Sequence, residues 1–236
     1  MTWPPAAAFR AEFAEELRSD PGGDASLLSF AAALDAVRTL TPSRPRAPLP
    51  PAATAHLPTA LAGLECSVTM AGAIRTLSEV ADWYRILEGA DAPAGLVDGL
   101  MVGRIPLPPG APVRLGLFLL APHLTYPLHQ HAAEEIYYIV SGRLELQMGL
   151  ACPPRTLAPG EHSVTPPNRV HALQTGDRPC MIAYCWTGRI TEPSWWWEER
   201  GGAWWRTRWD RDDEGIWTVS TEEPVSAATM REAGEG

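Results

Sequence analysis

The feature that most constrains this chain is a change of apolar rhythm near residue 97. Beyond it, short apolar segments at 113–120, 135–140, 143–148, 170–174 and 180–190 alternate with Pro and Gly. Segments of that length with turn residues between them specify many short strands, and hence an antiparallel sandwich or barrel. Ser141-Gly142 and Pro159-Gly160 mark tight turns. No parallel βαβ rhythm is present, and no Gly-x-Gly-x-x-Gly supports a dinucleotide-binding fold. The 24 prolines and 20 glycines among 236 residues stay below the roughly 25–30% that marks low-complexity chains, so the chain can bury a core.

The front of the chain has the helical period instead. Phe9, Phe13 and Leu17 recur every four positions within 3–20, with Pro4-Pro5 as a start and Pro21-Gly22-Gly23 as a stop. Asp24 can cap a second helix that carries Leu27, Phe30, Ala31, Leu34 and Val37 on one face. Six prolines between residues 41 and 58 predict an extended connector. A third helix is expected from about Val68 to Leu87, with Val68, Ala71, Ile74, Leu77, Val80, Ala81, Tyr84 and Leu87 as its stripe and Gly89 just past its end. The expected organisation is a helical region over 1–95, a β-rich domain over 96–219 and an acidic, frayed end over 220–236. Seven tryptophans between Trp195 and Trp217 suit an apolar flap on the β domain, an aromatic lid, or a dimer surface; a homodimer would also cover the apolar helix stripes.

Charge removes several function classes. The net charge is −9 and no basic stripe is visible, which argues against nucleic acid as a partner. All 19 basic residues are Arg; without Lys there is no Schiff-base chemistry and no P-loop lysine. No apolar run approaches the 18 or so residues that span a bilayer, and the first ten residues lack a secretory pattern, so no membrane role and a cytoplasmic location are expected. Cys66, Cys152, Cys180 and Cys185 form no Cys-x-x-Cys and read as reduced, buried thiols.

The histidines carry the chemistry. His56 sits in the connector, and His123 and His162 in turns. The stretch Tyr126-Pro-Leu-His129-Gln-His131-Ala-Ala-Glu134-Glu135-Ile-Tyr137-Tyr138 is different, and His171 follows in a later strand-like segment. On a strand, residues two apart share a face. His129 and His131 therefore point one way; Glu135, Tyr137 and Ile139 share a face, and Ile136, Tyr138 and Val140 take the other. Two or three imidazoles and a carboxylate suit one divalent transition metal ion, with Fe(II), Mn(II), Zn(II), Ni(II) and Co(II) all compatible. Histidines that merely satisfy hydrogen bonds in a metal-free barrel are the alternative.

His129-x-His131-x3-Glu135-x6-Gly142 resembles the first motif of the cupin superfamily, and Gly160-x5-Pro166-x-Asn168-x2-His171 resembles the second. Asn168 stands where the family usually has Gly, and Thr175 where many cupins have Asn. The two motifs cover about 50 residues. They imply a mainly β chain with a C-terminal cupin, an antiparallel barrel or jelly-roll, behind the α-helical N-terminal region. Cupins host many functions. The finer pattern, Tyr126, His129, His131, Glu135, Tyr137, His171 and Trp186, together with the helical front, resembles the cupin-type dimethylsulfoniopropionate (DMSP) lyases of marine bacteria.

That resemblance implies β-elimination of a small zwitterionic sulfonium substrate to acrylate and dimethyl sulfide. His131, Glu135 and His171 are the implied core ligands of a metal that holds the substrate carboxylate. His129 is either a fourth ligand or a substrate contact. Tyr137 is the implied base; Tyr126 would bind the carboxylate or share the proton relay. Trp186, with Tyr184 on the same face, would wall the sulfonium, or both would simply fill the core. An Fe(II) cupin dioxygenase and a non-enzymatic small-molecule-binding cupin are the competing readings.

Overall fold

The structure, a computed structural model, describes residues 3–20, 22–41, 49–87, 92–107, 110–212 and 216–235. Two helices open it, α1 (Pro4–Arg18) and α2 (Ala25–Ala36). Phe9, Phe13 and Leu17 of α1 are buried, as are Leu27, Phe30 and Leu34 of α2. Asp24 caps α2 by accepting from the Ser26 N–H at 2.8 Å. Next come α3 (Pro51–Ala62) and α4 (Val68–Val80), the latter capped by Ser67.

Two sequence expectations fail here. The proline-rich connector is not extended throughout: residues 42–48 lie outside the described residues, and from Pro51 the chain is helical. Pro51 occupies the first turn, where its missing N–H has no helical partner to lose, and Pro58 is carried inside the helix. The long third helix stops at Val80, and β1 (Asp82–Arg85) follows. Trp83 and Tyr84 suit a strand, and they pair antiparallel with Gly103 and Val102. Gly89 lies outside the described residues. The first strand of the sheet therefore belongs to the stretch assigned to the helical region.

A short α5 (Ala94–Gly99) leads into the remaining strands: β2 (Leu100–Arg104), β3 (Val113–Leu120), β4 (Thr125–His131), β5 (Ala133–Ser141), β6 (Leu144–Met148), β7 (Arg155–Leu157), β8 (His162–Thr165), β9 (His171–Gln174) and β10 (Cys180–Gly188). The Trp-rich stretch forms β11 (Ser194–Arg200), β12 (Ala203–Arg211) and β13 (Trp217–Pro224), and α6 (Ala227–Glu232) closes the chain. One antiparallel sheet runs β1-β2-β3-β10-β5-β8 and the other β13-β12-β11-β4-β9-β6-β7. The fold is mainly β, two antiparallel sheets in the cupin manner behind N-terminal helices.

Strand parity builds two cores from one sheet. Ile136, Tyr138, Val140, Met181, Ala183 and Cys185 face the helices, with Phe9, Phe13, Phe30 and Ile74. Tyr137, Ile139, Ile182, Phe118 and Leu120 face the other sheet, with Leu146 and Leu173. The Tyr138 hydroxyl donates to Glu16 Oε2 at 2.9 Å, and the Ser67 N–H donates to Glu16 Oε1 at 3.0 Å. One α1 carboxylate thus ties the helices to the sheet.

The acidic end is also not frayed. Strand β13 pairs with β12 over Trp217–Pro224. Behind α6, Ala233 is buried against Val170 and Trp197, and Arg169 donates to the Ala233 and Gly234 carbonyls. The tryptophans supply the apolar surface that pays for this order. Among the thiols, Cys180 and Cys185 are buried, whereas Cys66 is half-buried and Cys152 exposed.

The Ser141-Gly142 turn gives a sharp test. Gly142 has φ +78, and a Cβ there would lie 2.2 Å from the Pro179 carbonyl oxygen. Gly142→Ala should destabilise the fold by about 1–3 kcal/mol, read as a lowered urea midpoint against the wild-type chain.

Candidate metal centre and active site

The site lies between the two sheets. From the seven-stranded sheet, β4 and β9 set His129 directly opposite His171, with ring centroids 4.0 Å apart. Pro127 interrupts this pairing: the register shifts between Tyr126 and His129, since proline offers no N–H to the ladder. The six-stranded sheet faces these rings with Glu135 and Tyr137 on β5, whose cross-strand partners on β10 are Trp186 and Tyr184.

Three side chains converge. One ligand atom from each of His131, Glu135 and His171 lies within 4.8 Å of the others, and all three residues are buried. His131 Nε2 is 2.9 Å from Glu135 Oε2, and His171 Nε2 is 3.8 Å from the same oxygen. Each histidine is fixed from behind by a backbone carbonyl. His129 Nδ1 is 2.8 Å from the Pro127 oxygen, His131 Nδ1 2.9 Å from Ala133, and His171 Nδ1 2.9 Å from Arg169. A carbonyl only accepts, so the proton sits on Nδ1 and the Nε2 lone pair faces the interior.

His171 Nε2 is buried and has no hydrogen-bond partner. An orphaned acceptor beside a fully buried carboxylate is costly. A divalent cation resolves both, and two imidazoles with one carboxylate are a fitting donor set. His129 stands outside the converging group: its ring stacks on Tyr126, with centroids 4.0 Å apart and planes 8° from parallel.

Trp186 does more than wall the cavity. Its indole N–H donates to Glu135 Oε1, and its ring stacks on His131 at 4.2 Å. Tyr184 stacks on Phe118 at 4.1 Å. Tyr126 meets Trp196 edge-on at 5.9 Å, so the Trp-rich ribbon backs the site. The cavity has a volume of about 660 Å³, and Tyr126, His129, His131, Tyr137, Tyr184 and Trp186 line its inner part.

Burial dominates the protonation states. Desolvation, then the neighbouring His131, pushes His129 down to about 3. Desolvation, followed by His129 and His131, holds His171 well below the usual imidazole range. Desolvation first, then the Glu135 charge, raises Tyr137 and Tyr126 above the ordinary phenol value. Tyr137 shares the β5 face with Glu135, two residues away. In the protein alone both phenols are therefore neutral, and phenolate at either requires added positive charge.

Asn168 explains its own place in the second motif. It has φ +64, the left-handed region that Gly and Asn tolerate best, and its N–H donates to the His131 carbonyl at 2.8 Å. Thr175 donates to the Ala121 carbonyl at 2.6 Å and accepts from the Leu124 N–H at 2.9 Å. Sequence reasoning missed three arginines of the cavity, Arg104, Arg114 and Arg211. The signal for Arg114 was present: it is the one charge inside the apolar segment 113–120.

Comparison with known proteins gives concordant results. A dimethylsulfoniopropionate lyase family model matches residues 27–182. The DMSP lyase DddQ of Ruegeria pomeroyi is 48% identical over 67 residues, which span 28% of this chain and 33% of that relative. The crystal structure of that DddQ superposes with TM-score 0.59 and 28% identity, covering 79% of this chain and 94% of that one. A structure reported under DMSP lyases RdDddP and RnDddQII shares the fold, with TM-score 0.56, 22% identity and coverage of 78% and 94%.

The depressed histidines set an acid limit. Their folded values lie below the ordinary 6.5, so at lower pH the unfolded chain binds protons that the folded chain refuses. Stability of the metal-free protein should fall as pH drops from about 6 to about 4.5, by up to tenfold in the folding constant per pH unit for each histidine. Urea unfolding across that range measures the slope, and His129→Asn should flatten it.

Proposed function

Because this chain belongs to the dimethylsulfoniopropionate lyase family, we propose that its inter-sheet cavity cleaves DMSP into acrylate and dimethyl sulfide. The observation that carries this reading is the placement of Tyr137 beside Glu135, on the face that meets the buried histidines. A base thus stands next to the place where a carboxylate-bearing substrate would be held.

His131, Glu135 and His171 would hold one divalent transition metal ion, with Fe(II), Mn(II), Zn(II), Ni(II) and Co(II) all suited to the donors. Bound there, the ion supplies Lewis-acid polarisation of the substrate carboxylate and the positive charge that favours phenolate. Tyr137 Oη takes the proton from the carbon next to the carboxylate. The electron pair of that C–H bond becomes the new C=C bond, the carbon–sulfur bond breaks with its pair on sulfur, and neutral dimethyl sulfide leaves. His129, neutral through the working pH range, and Tyr126, stacked on it, orient the carboxylate from the β4 side. Trp186 presents an aromatic face to the sulfonium, an attraction of roughly 0.5–2 kcal/mol, while its N–H holds Glu135 in place. The low dielectric of the buried site strengthens each of these interactions.

The deciding experiment measures headspace dimethyl sulfide from purified protein and DMSP without oxygen, after chelation and after restoring Mn(II) or Fe(II). Metal-dependent release is the expected result. Absence of release with every suitable metal, from folded protein, overturns the reading; release that requires oxygen favours oxygenase chemistry instead. Tyr137→Phe should retain metal and lose about 100-fold or more in turnover.

Trp186→Phe separates the two duties assigned to that ring. It keeps an aromatic wall and removes the N–H. Metal affinity, followed by chelator competition, should fall by about tenfold or more, with KM changing little.

A further inference from the structure

The cavity is larger than a substrate of this size requires, and its lining runs from buried His129, His131 and Tyr137 outward to half-buried Arg114 and Arg211 and exposed Asp212. Arg114 is the β3 partner of Trp186, which is itself the β10 partner of Glu135. Directly paired residues share a face, and strands lie about 4.8 Å apart. Arg114 therefore lies on the face of the sheet that carries Trp186 and Glu135, roughly 10 Å from Glu135 along the sheet, and it lines the cavity with Trp186. Arg211, on β12, lines the cavity too.

The two guanidinium groups are anchored to one point. Arg114 Nε donates to the Ile190 carbonyl at 2.8 Å, and Arg211 Nη2 donates to the same oxygen at 3.4 Å. Arg211 also lies over the Trp217 ring at 5.1 Å. Among the described residues, no carboxylate forms an ion pair with either arginine. Asp212 lines the same cavity, with its carboxylate accepting from the Ile216 N–H at 2.8 Å. The third cavity arginine, Arg104, pairs with Asp82 at 2.8 Å. Burial lowers the Arg114 pKa against the smaller opposing effects of Tyr184 and Tyr84. In a chain of net charge −9, the arginine pair is a local reversal of sign.

We propose that Arg114 and Arg211 form a metal-independent subsite for a small carboxylate at the outer part of the cavity, and that its occupant is the acid product of the elimination. The site's existence rests on the arginine geometry; only the identity of the acid rests on the proposed reaction. Elimination changes the charge of the ligand. The zwitterion carries no net charge and a cationic end that the arginines repel, whereas the unsaturated acid released with the neutral sulfide is an anion. The pair therefore discriminates product from substrate and draws the acid outward from the histidines. Guanidinium groups suit this task because each can meet a carboxylate with two parallel N–H donors.

The test uses the metal-stripped full chain, in which no ion can hold a carboxylate. Acrylate, propionate and DMSP are titrated by calorimetry at constant ionic strength. Saturable binding of acrylate and propionate is expected, with DMSP at least tenfold weaker. Arg211→Gln and Arg114→Gln, each checked for an unchanged melting profile, should each weaken acrylate binding by tenfold or more. No saturable binding to the wild-type chain, or unchanged binding in both variants, overturns the subsite. DMSP binding as tight as acrylate overturns the product assignment. These readouts do not depend on turnover, so failure of the lyase reading and failure of the subsite are distinguishable.

Discussion

A fully buried carboxylate organises this protein. Glu135 has no solvent exposure; the Trp186 N–H donates to it, and the Nε2 atoms of His131 and His171 approach it at 2.9 and 3.8 Å. Burying an unpaired charge is among the most expensive things a fold can do. The surrounding structure fixes three imidazoles through backbone carbonyls, each two residues from the histidine it holds, and their lone pairs do not offset that cost. Hydrogen bonds of this kind aim lone pairs in advance, so a cation held there would demand little reorganisation. Burial first, and then the Glu135 charge, raises Tyr137, which makes a base there conditional on a compensating cation.

Strand β5 transmits this constraint to the whole fold. Its period of two places Tyr137 and Ile139 in the inter-sheet core and Ile136, Tyr138 and Val140 under the helices. A slip of one residue would put the ionisable face under Phe13 and Ile74 and expose the apolar face to the cavity. The N-terminal helices are therefore more than an appendage: they cover the face that fixes the register of β5, and Tyr138 is locked to Glu16 at that boundary.

What the sequence disclosed follows from how local each determinant is. The parity of 135–140, the helical faces of Phe9 and Leu27, and the cupin-like spacing of His131, Glu135 and His171 are all readable within a few residues. Asn168 could be flagged as a substitution for Gly, and its positive φ gives the physical reason that only such residues serve. The helix starting at Pro51 was hidden because proline favours a helix's first turn and normally disrupts its interior, so composition reveals neither which proline begins a helix nor that α3 carries Pro58 inside it. The end of α4 was hidden because Tyr84 and Leu87 continue a helical stripe that the pairing of β1 with β2 overrides. The arginine cluster depends on Ile190, Arg114 and Arg211 meeting across three elements, a long-range fact that no window of sequence contains.

The C-terminal ribbon shows how residues beyond the two motifs serve the same centre. Trp197 donates its indole N–H to Gln130, the residue between His129 and His131. The Gln130 amide donates to the Asn168 carbonyl at 3.3 Å, and the Asn168 N–H returns to the His131 carbonyl at 2.8 Å. Arg169, whose carbonyl holds His171, is itself gripped by the Ala233 and Gly234 carbonyls behind α6. The outer strands and last helix thus brace the histidine-bearing segments from the side away from the cavity. A site built from flexible hairpins would lose affinity with every excursion of its side chains; here the tryptophans convert buried apolar area into positional restraint on His131 and His171. The acidic, Trp-rich end of the chain is best understood as the outer support of the site rather than as a separate module.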